Sequence, residues 1–86
     1  MKEIFWEPYR SMMGKLKKAR LRHGWTQRQV AGRIGKGRSW VGKVEQAEIR
    51  LDLVHFLVLC RVYRLNWRKV MAELALGIEQ EQGPGG

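Results

Sequence analysis

The chain has little cysteine, little proline and no long apolar run, and each shortage excludes a class of protein. Cys60 is the only cysteine among 86 residues, which rules out an intrachain disulfide and favours a reducing compartment. The longest apolar stretch, 53–60, contains a histidine and falls far short of the ~20 residues that a membrane-spanning helix needs. Glu3 and Glu7 do not fit a secretory signal. We therefore expect one small cytoplasmic domain without a membrane partner.

Acidic residues are missing from one part of the chain. Between Arg10 and Lys43 there are eleven basic residues and no acidic one, whereas 1–9 and 44–86 each sum to −1. The whole excess of +9 therefore lies in this stretch. A solvated helix face usually mixes both signs, so this asymmetry indicates a surface that attracts polyanions. A basic surface that serves solubility alone is the alternative.

The spacing of apolar residues predicts five short helices and no strand. The predicted helices cover about 9–23, 27–34, 38–46, 53–63 and 67–76. Thr26 and Gln29 form a capping box at the start of the second helix. Further N-caps are expected at Asp52 and Asn66, and left-handed C-terminal residues at Gly24 and Gly35. The inward stripe of the fourth helix is expected to comprise Leu53, Phe56, Leu57, Cys60 and Tyr63.

Two short helices joined by a tight glycine turn, inside a basic stretch, are typical of a helix-turn-helix. The motif comprises GWTQ at 24–27, Ala31, Gly35 and SWVGKVE at 39–45. It resembles the Cro-type (XRE-like) family of lambda-repressor-like DNA-binding domains, and the likeness covers about residues 10–75. The resemblance implies an all-α, five-helix domain with the helix-turn-helix at its second and third helices.

The resemblance also implies roles for individual residues. Arg38, Ser39 and Lys43 match the positions that read base edges in the major groove, where arginine can pair with guanine through two hydrogen bonds. Contacts to the DNA backbone are expected from Gln27, Arg28, Lys36, Arg50, Lys17 and Lys18.

Three residues depart from the family pattern. Gly37 stands where a Ser or Thr cap is frequent, so the third helix has a weaker cap. Ala47 and Arg64 stand where glycines are usual. The left-handed turn at Ala47 is therefore in doubt, and Arg64 either adopts an unfavourable turn or lengthens the fourth helix.

Some conspicuous residues have plainer interpretations. Trp40 could lie along a sugar-phosphate edge, but packing against a neighbouring helix is favoured. Glu45, the only acid of the third helix, is expected to hydrogen-bond within the fold or pair with an arginine. Cys60 is interpreted as a buried thiol, and its spacing from His23 and His55 matches no zinc site. No set of residues supports catalysis, so we expect neither an enzyme nor a cofactor.

We expect an N-terminal arm at 1–8, the DNA-binding domain at 9–78 and a flexible tail at 79–86. The favoured function is a sequence-specific transcriptional regulator of double-stranded DNA, a repressor that binds an inverted repeat as a homodimer. The candidate dimer surfaces are Met71, Leu74 and Ile78, with Leu76, and the arm at 4–6. No ligand-sensing domain is expected, and the resemblance implies a prokaryotic or phage nucleoid.

Three alternative functions stay open. The same fold could serve as the DNA-binding antitoxin of a toxin–antitoxin pair, or as an adaptor that bridges proteins without reading a sequence. A cationic, membrane-active peptide built on the first helix is the third. The helix-capping residues and the five apolar stripes argue against that last alternative, because they specify a packed domain.

Overall fold

A computed structural model describes residues 6–80 of the chain and shows five helices there, without a strand. The helices are α1 (Glu7–Arg22), α2 (Gln27–Ile34), α3 (Arg38–Glu45), α4 (Leu53–Val62) and α5 (Trp67–Gln80). The expected all-α, five-helix fold is confirmed. The expected arm and tail lie mostly outside the described residues.

The predicted helix ends are confirmed where polar side chains or glycines fix them. Thr26 Oγ1 accepts from the backbone N–H of Gln29 at 3.1 Å, and Gln29 Oε1 accepts from Thr26 N–H at 2.8 Å. Asp52 accepts from the backbone N–H of His55 at 2.8 Å, which caps α4. Each bond satisfies an amide that the first helical turn leaves without a partner. Glycines 24 and 35 adopt φ values of 72° and 71°.

The core lies where the inward stripes of all five helices meet. The largest side chains that are completely enclosed belong to Phe56, Met13, Leu16, Val30, Val44 and Cys60. Helix α1 packs against α3 and α5, while α2 packs against α3 and α4. The burial of the Cys60 thiol, expected from the sequence, is confirmed.

Both ends of the fold extend further than the sequence pattern predicted. Helix α1 begins at Glu7 rather than at residue 9, and α5 continues to Gln80 rather than ending near 76. Glu79 and Gln80, expected in a flexible tail, are helical. The two extensions lie against each other, and a Cβ placed on Gly77 would lie 3.2 Å from the Cβ of Pro8. The missing side chain lets the end of α5 lie against the start of α1.

The predicted inward stripe of α4 was wrong at two positions. Leu53 is 63% exposed and Leu57 is 39% exposed, whereas Phe56, Cys60 and Tyr63 are buried as predicted. Eight of the ten residues of α4 are apolar, so the pattern itself does not determine which face turns inward.

The two residues that replace family glycines both adopt the left-handed conformation. Ala47 and Arg64 each have a φ of 56°. The turn after α3 is therefore kept without glycine, and Arg64 bends the chain rather than lengthening α4. A side chain in this conformation costs about 1–2 kcal/mol, because its Cβ approaches the next carbonyl oxygen.

Candidate nucleic-acid interface

The outward face of α3 is polar and basic. Val41 and Val44 are buried in the core and fix the rotation of the helix. Arg38, Ser39 and Lys43 are all exposed, as a base-reading role requires. The structure thus places the three side chains on an accessible helix, and their contact with bases stays a prediction.

The start of α3 has no side-chain cap, as the glycine in the cap position led us to expect. Gly37 has no side chain that could accept from the first amides of the helix, and its carbonyl accepts from the N–H of Trp40 at 3.1 Å. Among the described residues, the N–H groups of Arg38 and Ser39 have no acceptor. Free amides at a helix N-terminus suit a phosphate oxygen, since the helix dipole also favours negative charge there.

A buried ion pair holds α3 against α1. Arg20 donates through Nε to Glu45 Oε2 at 2.6 Å and through Nη2 to Oε1 at 3.1 Å. Both side chains are almost fully shielded from solvent, and the bond to Glu45 raises the pKa of Arg20. Arg20 Nη1 also donates to the carbonyl of Trp25 at 2.8 Å. The expectation that Glu45 serves the fold is confirmed.

Gln27, the first residue of α2, extends this network to the face of α3. Its Nε2 donates to Glu45 Oε1 at 3.1 Å, and a Cβ on Gly42 would meet its Oε1 at 3.5 Å. One of its two amide hydrogens is therefore used within the fold, and a phosphate would have to take the other. Gly42, the outward residue without a side chain, leaves the space in which this amide lies.

Trp40 packs between helices, as the favoured interpretation held. It is half-buried against the core, and its ring centroid lies 5.3 Å from that of His55 on α4. Lys36 Nζ lies 5.3 Å above the same indole, within the range of a cation–π contact. The turn before α3 is thus joined to α4 through one aromatic ring.

The loop after α3 is fixed by a residue of α1 that the sequence analysis did not connect with this loop. The Tyr9 hydroxyl donates to the carbonyl of Ile49 at 2.8 Å and accepts from the N–H of Leu51 at 2.9 Å. Burial raises the pKa of Tyr9, so its hydroxyl keeps its proton. The tyrosine therefore positions Arg50, whose exposed side chain was predicted to contact phosphate.

The remaining candidates for backbone contacts do not share one face. Arg28 is exposed on the first turn of α2. Lys17 and Lys18 are both exposed on α1, but successive residues of a helix point about 100° apart. Lys18 lines the groove between α1 and α5, beside Lys69. Lys17 lies nearer to the side of α1 that carries Arg20 and faces α3. The structure therefore separates two lysines that the sequence grouped.

Three of the apolar residues expected at a dimer surface fall into one row on α5. Trp67, Met71, Leu74 and Ile78 are spaced by four, three and four residues, as in the seam of a coiled coil. Trp67 is 40% exposed and Ile78 is 42% exposed, while Met71 and Leu74 also touch the core. Trp67 was missed as a member of this row. Leu76, which the sequence analysis grouped with them, lies on another side of the helix.

No group of three or more His, Cys, Asp or Glu side chains within residues 6–80 could hold a metal ion. No helix in the same range is long and apolar enough to cross a membrane.

Comparison with known proteins agrees with this geometry. The profile of the family described as "Helix-turn-helix domain" matches residues 14–74, which span α2 and α3 and most of the other helices. No curated protein and no solved structure matches the chain.

Proposed function

The chain belongs to the helix-turn-helix domain family, and from that premise we propose that it is a sequence-specific transcriptional regulator, a repressor of the Cro type. The observation that carries this proposal is the face of α3, where Arg38, Ser39 and Lys43 are exposed together on a helix whose other side is locked to the core. A helix of this kind fits the major groove of B-form DNA.

Affinity in this proposal comes from the phosphates on either side of the groove. Gln27 and Arg28 lie at the start of α2, Lys36 in the turn before α3, and Arg50 in the loop that Tyr9 holds after it. Contacts of these side chains with phosphates would carry no sequence information but would fix how α3 lies on the duplex. The basic stretch from 10 to 43 supplies the field that attracts the DNA.

We further propose that two copies bind an inverted repeat through the row of Trp67, Met71, Leu74 and Ile78. One α3 reads only a few base pairs, so a second copy is needed for specificity. The half-sites would then lie about 34 Å apart, one turn of the double helix.

Selection from randomised duplex DNA tests binding, sequence preference and symmetry together. We expect a palindromic consensus with two equal half-sites. In the same assay Arg38→Ala should relax preference at one base position, since a bidentate arginine–guanine pair contributes roughly 1–3 kcal/mol of discrimination. Arg22→Ala is the matched control, because that arginine is exposed on the last turn of α1 and lies outside both α3 and the row on α5. An unchanged consensus for Arg38→Ala contradicts the base-reading assignment.

Salt titration separates the phosphate contacts from base reading. Loss of one contact lowers the slope of log K against log salt by ~1 and weakens all duplexes about equally. Lys17→Ala and Lys18→Ala are informative as a pair, because the two side chains point to different sides of α1. If neither variant changes the slope, α1 does not contact the backbone through these lysines.

A further inference from the structure

The outward face of α4 combines exposed aliphatic side chains with unpaired arginines. Leu53, Val54, Leu57 and Val58 are exposed, and Val54 is the most exposed of them at 68%. Their spacing of one, three and one residues places them on one side of the helix. Arg61 follows Leu57 by four residues and Val58 by three, so it continues the same side. We name these five residues the α4 face.

A shallow cleft of about 650 Å³ adjoins this face where α4 meets the start and end of α2. Val58 and Arg61 belong to both, and Arg33 and Arg64 add two further cations to the lining. Arg33 lies over the indole of Trp25, with its guanidinium carbon 4.3 Å from the ring centroid. The cleft has no acidic residue in its lining, and among residues 6–80 no carboxylate pairs with Arg61 or Arg64.

We propose that the α4 face and its cleft bind an acidic amphipathic helix of a partner protein. The aliphatic row would pack against the apolar side of such a helix, as in other helix-in-groove complexes, and the arginines would meet its carboxylates. Three cations without a carboxylate nearby make the surface complementary to negative charge. This surface is additional to the one on α3 and serves a different class of ligand.

Charge and apolarity together argue against the other occupants. A second copy that docked through the same face would bring no carboxylate to the arginines, because the five residues of the α4 face include no acidic one. Duplex DNA would satisfy the arginines but would leave the aliphatic row against phosphates. The segment EQGPGG at 81–86 offers only Pro84 as an apolar side chain, which is too little to cover the row.

The test uses two synthetic peptides of identical composition. One has leucines along one side of a helix and glutamates along the other; the second is scrambled so that the two kinds of residue are mixed. We expect backbone amide NMR signals of 53–64, Trp25 and Arg33 to shift with the first peptide. The scrambled peptide should bind about tenfold more weakly, because charge alone does not fill the aliphatic row.

Variants distinguish specific binding at the α4 face from general attraction between an acidic peptide and a basic protein. Val54→Asp and Arg61→Glu should each weaken the amphipathic peptide about tenfold. Leu76→Asp and Lys69→Glu are the matched controls, since both residues are exposed on α5 and neither lines the cleft, and both should leave the Kd of the peptide unchanged. Unfolding curves of all four variants confirm that each still folds.

Three results would overturn the proposal. Equal binding of the two peptides, or signals that shift mainly on α1 and α3, indicates unspecific attraction to the basic stretch. A short DNA duplex that shifts the signals of 53–64 as strongly as the peptide assigns the face to DNA. A dimer that Val54→Asp dissociates assigns it to a second copy of the chain.

Discussion

Arg64 offers a direct measure of the strain that a side chain imposes in a left-handed turn. Its φ of 56° costs about 1–2 kcal/mol for a residue with a Cβ. Replacing it with glycine removes that cost but also lowers the free energy of unfolding by about 0.4–1 kcal/mol, because glycine makes the unfolded chain more flexible. The side chain is exposed, so little packing is lost. We expect Arg64→Gly to stabilise the fold by about 0.8 kcal/mol.

Thermal unfolding followed by far-ultraviolet circular dichroism measures this gain. For a domain of this size about 0.8 kcal/mol raises Tm by about 3–6 °C. Arg64→Ala is the first control, because it removes the same side chain but keeps the Cβ. Arg61→Gly is the second: it makes the same exchange inside α4, where glycine lowers helix stability by up to about 1 kcal/mol. If Arg64→Gly is no more stable than Arg64→Ala, strain in the turn is not the cause.

Ala47 shows why the same exchange is not expected to help everywhere. It has the same φ of 56°, but its side chain is buried in the core. Removing a buried methyl group loses about 0.8 kcal/mol of hydrophobic stabilisation, which offsets most of the relief. We expect Ala47→Gly to leave Tm close to that of the parent. The contrast with Arg64→Gly therefore tests the balance between backbone strain and the loss of a buried methyl group.

Three further predictions concern the helices around the proposed DNA surface. Gly42→Ala should raise the free energy of unfolding by about 1 kcal/mol, because the added Cβ makes only an ordinary contact at 3.5 Å. The same variant should weaken DNA binding if the glycine lets α3 approach the groove closely. A gain in both stability and DNA affinity would refute that close approach. Arg20→Met should lower the free energy of unfolding in urea by about 3–5 kcal/mol, because it leaves the buried carboxylate of Glu45 without its cation. Adding Glu45→Leu should restore much of the lost stability. A double variant that recovers none of it would contradict a pairwise role. The hydrogen bond from the backbone N–H of His55 lowers the pKa of Asp52. The charged cap therefore stabilises the fold above the ordinary titration range of Asp, and this stabilisation is lost as the pH falls through the lowered pKa. Acid unfolding of Asp52→Asn should lack the contribution of this titration, and acid transitions identical to those of the parent would contradict it.

The sequence predicted those parts of the fold that local chemistry specifies. The capping box at Thr26 and the cap at Asp52 need only residues three positions apart, so they could be identified without a structure. The exposure of Arg38, Ser39 and Lys43 on α3 agrees with the positions that the resemblance implied, while Val41 and Val44 form the inner side of the helix.

Contacts between distant residues could not be predicted. Tyr9 fixes a loop 40 residues further along the chain, and Arg20 meets Glu45 across 25 residues. The only indication was Glu45 itself, the first acid after a long basic stretch, which pointed to an internal role without naming the partner. The inner face of α4 was also missed, because a helix that is apolar on nearly all sides carries no period from which to choose.

The residues that anchor α3 are different from those that it exposes, and this separation has a consequence for how such a protein can diverge. Val41, Val44 and Glu45 hold the helix, while Arg38, Ser39 and Lys43 point away from everything that holds it. Exchanging the outer three therefore leaves the anchoring contacts intact. If these three residues read bases as proposed, a duplicated gene would acquire a new target through substitutions there alone, without passing through unfolded ancestors.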